Sequence, residues 1–125
     1  KKSNGEISMW NGLRCMLTQR LNRTMGKNDI NIEEMQKMIR QGATLVDVRS
    51  PQEYKEAHLK KAKLIPEYEI IKTCKYELKD KSAVIIVYCS TGSRSKKAQR
   101  KLEKMGYKNV YNVYNGIQNF NLDVL

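Results

Sequence analysis

Apolar residues along this chain change their spacing several times, and each change marks an element. Near the start Ile7, Trp10, Leu13, Leu17 and Leu21 recur at helical spacing, with Arg14, Arg20 and Arg23 between them. This predicts a basic amphipathic helix that Gly26-Lys27-Asn28 breaks, and it sets residues 1–28 apart as an N-terminal extension. Such a helix either packs on a domain surface or rests against a membrane surface or a partner, with residues 7–23 making the contact.

From Asp29 the pattern alternates between strand and helix. Ile30 and Ile32 bracket a short extended piece, and Asn31 can cap a helix over Glu33 to Gln41 with Met35, Met38 and Ile39 on one face and Gly42 at its end. Thr44 to Val48 reads as a buried strand. Ser50-Pro51-Gln52-Glu53 is a helix start: Ser50 caps, Pro51 suits the first helical position and Glu53 completes a capping box. A short strand at Lys63–Ile65 stops at Pro66, and Glu67 to Leu78 is amphipathic. Ala83 to Tyr88 is the most apolar and β-branched run, expected of a central parallel strand covered on both faces. A helix follows from about Ser93 to Met105, then a strand at Val110–Val113, then a turn at Asn115-Gly116 into a short terminal helix holding Ile117 and Phe120. Strands separated by helices predict an α/β domain over residues 29–125 with a mostly parallel sheet, whose ligands bind beyond the carboxyl ends of the strands.

The chain has 125 residues, 40% of them apolar and 30% charged, enough for one globular domain with its own core. No apolar run approaches the roughly 18 residues of a membrane span. No signal peptide is visible, and the first residue, Lys1, leaves an upstream targeting or anchor segment open. The net charge is +11, with +5 on residues 91–125. Such a field draws in anions. Small inorganic anions fit it, whereas no nucleic-acid-binding motif is present, so nucleic acid is not an expected partner. Cys15, Cys74 and Cys89 are odd in number and lack metal-ligand spacing, and His58 stands alone. These features predict reduced thiols, a cytoplasmic setting and neither metal nor resident cofactor.

One segment concentrates chemistry. Cys89 leaves the buried strand, the small residues Ser90, Thr91, Gly92 and Ser93 follow, and a helix begins with Arg94 and Ser95. Backbone N–H groups of residues 90–95 can curl toward the sulfur, and the helix N-terminus adds positive potential; both favour thiolate over thiol. Arg94, Lys96 and Lys97 add attraction for anions. Cys15 and Cys74, on amphipathic helices, read as structural.

The ordered set Leu45-Val46-Asp47-Val48-Arg49-Ser50-Pro51-Gln52-Glu53-Tyr54, Ala57-His58-Leu59, Cys89 to Ser95, Gly106 to Tyr111 and Asn115-Gly116-Ile117 resembles a single-domain rhodanese, a thiosulfate sulfurtransferase, over about residues 29–125. The resemblance implies a doubly wound domain around a five-stranded, mostly parallel sheet with helices on both faces. It implies that Cys89 is the nucleophile, carrying a sulfane sulfur as a persulfide. Ser90, Thr91, Gly92, Ser93, Arg94 and Ser95 would form the cradle around it. Asp47 and Arg49 match a strand-end acid and base, read as structural ion-pairing groups with neighbours such as Glu53, and His58 is read as structural. The implied partners are a small anionic donor (thiosulfate or a persulfide) and a thiol, cyanide or protein acceptor. The chain departs from the family at Ser90, where Arg is frequent, at Ala57 for Gly, and at Lys60-Lys61 for the common Pro-Gly.

Two other readings share these residues. Cysteine-dependent phosphatases and arsenate reductases space Cys and Arg as C-x5-R, a loop wide enough for a tetrahedral oxyanion. Here the spacing is C-x4-R, a tighter loop suited to one sulfur atom. A non-catalytic binding or regulatory module of the same fold is usually marked by loss of the cysteine, and Cys89 is present.

Overall fold

A computed structural model of the chain describes residues 25–120. The amphipathic helix expected over residues 7–23, and Cys15 with it, lie outside the described residues.

The described part holds five strands, β1 (Asp29–Ile30), β2 (Thr44–Asp47), β3 (Lys63–Leu64), β4 (Val84–Tyr88) and β5 (Asn109–Val113). They alternate with four α-helices, α1 (Ile32–Arg40), α2 (Pro51–Glu56), α3 (Ile70–Glu77) and α4 (Ser93–Lys104). The strands form one sheet in the order β1-β5-β4-β2-β3, and every pairing is parallel. β4 lies between β5 and β2, with Val46 opposite Val87 and Val110 opposite Ile85. The central position explains its unbroken apolar run, because both of its faces are covered.

Successive side chains of β4 serve different layers. Ile85 and Val87 join Val46, Val48 and Val110 beneath Ile70 and Cys74 of α3, Leu78 just after it, and Ala98 and Leu102 of α4. Ile86 and Tyr88 join Leu45 and Val113 on the opposite face, against Met35 of α1, with Tyr54 of α2 alongside. Helices therefore cover both faces of a five-stranded sheet, as the pattern and the resemblance required.

Local signals act where they were read. Asn31 and Glu34 form a reciprocal capping box at α1, and Ser50 and Glu53 form another at α2, with Pro51 in its first turn. Three expectations need correction. β2 ends at Asp47, because the Arg49 N–H turns back onto the Asp47 carboxylate. The helix expected over Glu67 to Leu78 opens as a 3-10 turn at Glu67–Glu69, the Glu69 N–H donating to the Pro66 carbonyl, and becomes α3 only at Ile70. Among the described residues the expected terminal helix is a turn at residues 117–120, closed by the Phe120 N–H on the Ile117 carbonyl. Its amides are used elsewhere: those of Ile117 and Gln118 donate to the carbonyls of Cys89 and Ser90, at 3.1 and 3.0 Å.

Candidate active site

Cys89 follows the last residue of β4, at the carboxyl end of the sheet and beside the ends of β2 and β5. Strand β2 connects outward to β3 and β4 connects the other way to β5, so this is where the winding reverses and a crevice opens.

The loop from Cys89 to α4 wraps the sulfur. The Gly92 N–H reaches Sγ at 3.1 Å and the Ser95 N–H at 3.3 Å. The thiol in turn donates to Ser95 Oγ at 3.4 Å, and that hydroxyl donates to the Gly92 carbonyl at 3.2 Å. Gly92 precedes the helix with φ +100°, a left-handed conformation that turns its amide back toward the sulfur. The N-cap residue of α4, Gly92, has no side chain to cap the helix, so its positive end is left to the Cys89 sulfur and its loop. Cys89 and Ser95 are buried, Ser90, Gly92 and Arg94 are half-buried, and Thr91 and Ser93 are exposed at the rim.

A second segment underlies the loop. Gly116 has φ +68°, and a Cβ there would lie 2.1 Å from the Ser90 carbonyl oxygen. Only glycine lets the 115–118 turn come close enough to hold the Cys89 and Ser90 carbonyls. The turn was legible in the sequence, but its contact with the cysteine loop was not.

The outer wall is organised by Glu53. Its carboxylate receives Arg94 through two bonds, at 2.7 and 3.0 Å, and the Ser90 hydroxyl at 3.2 Å. It also receives the Ser50 N–H at 3.1 Å as part of the capping box. The Arg94 guanidinium foremost, with the Ser50 donors behind it, holds the Glu53 carboxyl far below the usual carboxylate range. One side chain thus completes the cap of α2 and clamps the sulfur loop to it. Only the cap was legible in the sequence, since no local pattern links residues 41 positions apart.

Asp47 and Arg49 pair with each other, Arg49 Nη2 lying 2.7 Å from Asp47 Oδ2, which corrects the expected partner Glu53. The pair is buried, and Arg49 also donates to the Ala57 carbonyl. The Tyr88 hydroxyl donates to Asp47 at 2.6 Å and accepts from the Leu59 N–H at 3.0 Å. Burial, reinforced by that bond to Asp47, pushes the Tyr88 phenol well above its ordinary value. The network braces the strand ends from the face opposite Cys89. His58 stacks on Tyr54 with ring centroids 3.6 Å apart and bonds the Tyr54 carbonyl, on the exposed surface.

Of the three cations expected to draw anions, Arg94 is held by Glu53 and Lys96 by Asp29, at 2.8 Å. Among the described residues Lys97 alone of the three has no acidic partner. The local positive field is therefore weaker than the count of charges suggests. No group of three His, Cys, Asp or Glu among the described residues could hold a metal, and no described helix is long and apolar enough to cross a membrane.

Comparison with known proteins agrees with this geometry. Residues 31–123 match the model of the Rhodanese-like domain. Thiosulfate sulfurtransferase PspE of Escherichia coli is 36% identical over 67 residues, 54% of this chain and 64% of that protein. The aligned part thus spans just under two thirds of that relative's length. Thiosulfate sulfurtransferase GlpE of Haemophilus influenzae is 32% identical over 92 residues, covering 74% of this chain and 86% of that protein. Among solved structures, a rhodanese with anions from E. coli superimposes with a TM-score of 0.58 at 30% identity, over 65% of this chain and 94% of that one. With a family match spanning strands β2 to β5, the sulfur loop and the turn beneath it, the chain belongs to the rhodanese-like domain family.

Proposed function

We propose that this protein is a sulfurtransferase that carries a sulfane sulfur on Cys89 as a persulfide. The observation that carries the reading is the sulfur itself, buried at the end of β4 and already accepting the N–H groups of Gly92 and Ser95. Amides aimed at one sulfur atom stabilise negative charge there without a separate general base, once the thiol proton has gone to solvent. The names of the relatives, thiosulfate sulfurtransferases, support the reaction class.

With thiosulfate as donor, the Cys89 thiolate attacks the outer sulfur. A sulfur–sulfur bond to Cys89 forms, the bond to the sulfonate sulfur breaks, and sulfite leaves with that electron pair. The persulfide is anionic, and the cradle of residues 90–95 supplies the donors for its charge. Cyanide then attacks the terminal sulfur, giving thiocyanate and regenerating the Cys89 thiolate. A small thiol or a protein thiol can take the sulfur in the same way. Ser90 in place of a frequent Arg, together with Arg94 held on Glu53, leaves the backbone amides as the main anion-binding groups.

The test is mass spectrometry of the intact protein after thiosulfate treatment, with peptide mapping. One added sulfur on Cys89, removed by cyanide with release of thiocyanate, is the expected result. A protein that takes up no sulfur from thiosulfate or from a small persulfide would overturn the proposal in favour of a non-catalytic module.

A further inference from the structure

A second cleft lies on the other side of the sheet, between α1 and the turn at residues 59–61. Its volume is about 270 Å³. Ile39, Leu45 and Leu59 form its apolar lining, and Arg40, Lys60 and Lys61 stand around it. Leu45 and Leu59 belong to the apolar layer beside α1, whereas Cys89 belongs to the layer on the opposite face. The cleft is therefore separate from the candidate active site.

The geometry points to a binding site for a small amphiphilic anion, an apolar body carrying a single carboxylate or a comparable acidic head. Three observations converge on that chemistry. The first is charge. Arg40, Lys60 and Lys61 are all exposed, and among the described residues none of them meets a carboxylate. Most described lysines and arginines likewise lack an acidic partner; what sets Arg40, Lys60 and Lys61 apart is that all three border one apolar cleft. Like charges gathered around one cleft repel one another and favour an anion between them.

The second observation is the lining. The Leu59 amide is anchored on the Tyr88 hydroxyl at 3.0 Å, and both Leu59 and Leu45 are buried, so the apolar floor is preformed. Its volume falls just below the range of about 300–1,000 Å³ usual for small-molecule sites, which suits a ligand smaller than a drug. The third is the backbone. Lys61 has φ +71°, a conformation that favours glycine. A cationic side chain stands at a position where glycine would be relaxed.

These features also select among occupants. A neutral hydrophobe would leave the cations unanswered, and a small inorganic anion would leave the floor unfilled. The chain's own residues 1–24 carry a net +4 and would be repelled.

The test uses the full chain and sodium octanoate as probe, followed by amide NMR at low salt. Acetate, 1-octanol and phosphatidylglycerol vesicles serve as separate arms. Octanoate is expected to shift the signals of Ile39, Leu45 and Leu59 saturably, with acetate and 1-octanol binding about tenfold more weakly or less. The double variant Lys60→Gln/Lys61→Gly should lose about tenfold in octanoate affinity. It should melt no lower than the parent, because glycine relieves the strain at position 61. The proposal is overturned by equal binding of acetate or 1-octanol, by undiminished octanoate binding in the variant, or by saturable shifts confined to residues 89–95. Vesicle binding without saturable octanoate binding would identify a membrane-facing patch instead and would equally overturn it.

Discussion

Replacing Gly116 by Ala should damage the sulfur loop from beneath, without touching the cysteine. A methyl at this position would stand 2.1 Å from the Ser90 carbonyl oxygen, 2.3 Å from its carbon and 2.6 Å from the Thr91 nitrogen. Opening the first contact from 2.1 Å to 3.0 Å, the shortest that real Cβ atoms show, requires a shift of 0.9 Å. Neither side can yield through a flexible side chain, because the groups that meet the methyl are backbone. They are also tied together by the Ile117 and Gln118 amides on the Cys89 and Ser90 carbonyls. The peptide immediately after Cys89 must therefore move. A displacement of about 1 Å at a reacting group costs on the order of 10²-fold in rate, and that is the expected loss in kcat for transfer from thiosulfate to cyanide. The left-handed conformation adds about 1–2 kcal/mol of destabilisation for Ala, seen as a lower melting temperature. Gly42→Ala separates the two effects. Gly42 has φ +102°, and a methyl there would meet nothing within 4 Å, so the variant should lose stability while keeping its transfer rate. A Gly116→Ala protein that transfers sulfur as fast as the parent would refute the positioning role of the turn.

Cys89→Ser should abolish transfer while the melting temperature stays close to the parent's, since serine is nearly isosteric; retention of most thiosulfate–cyanide activity would contradict the assignment. Glu53→Gln should loosen the Arg94 clamp and lower the transfer rate. Because the folded Glu53 carboxyl titrates below its ordinary value of 4.5, its contribution to stability is present above that pH and is lost as pH falls through its folded value. Urea midpoints measured on either side of pH 4.5 should thus fall less steeply with acid in the variant than in the parent, and parallel curves would argue against the clamp. Tyr88→Phe strands the buried Leu59 N–H and removes a donor from Asp47, at a cost of about 1–3 kcal/mol, and an unchanged denaturant midpoint would show the network to be dispensable. Limiting iodoacetamide with peptide mapping should label Cys89 before Cys74: both are buried, but Cys89 sits on a loop with exposed rim residues and Cys74 lies within α3 against the core.

What the sequence determined by itself was local or periodic. The cap at Asn31 and the capping box at Ser50 act within three residues, the apolar run before Cys89 reports burial on two faces, and the small residues between Cys89 and α4 mark a loop at a strand end. Each signal lies within one element or one turn, where neighbouring side chains and backbone groups set the outcome without reference to the rest of the chain. The parallel α/β class follows from the alternation of such elements. Tertiary structure decided how distant pieces meet. Glu53 reads as a helix cap until the order of the strands sets α2 beside the sulfur loop, where it takes Arg94 and Ser90 as well. Lys96 reads as an anion-attracting charge until β1 and β5 carry Asp29 to it. The residues after Gly116 read as a helix until the Cys89 and Ser90 carbonyls claim their amides. In each case the local preference was sound but incomplete. A charged or hydrogen-bonding group takes the strongest partner within a few ångströms, and which groups come that close is settled by the winding of the whole sheet.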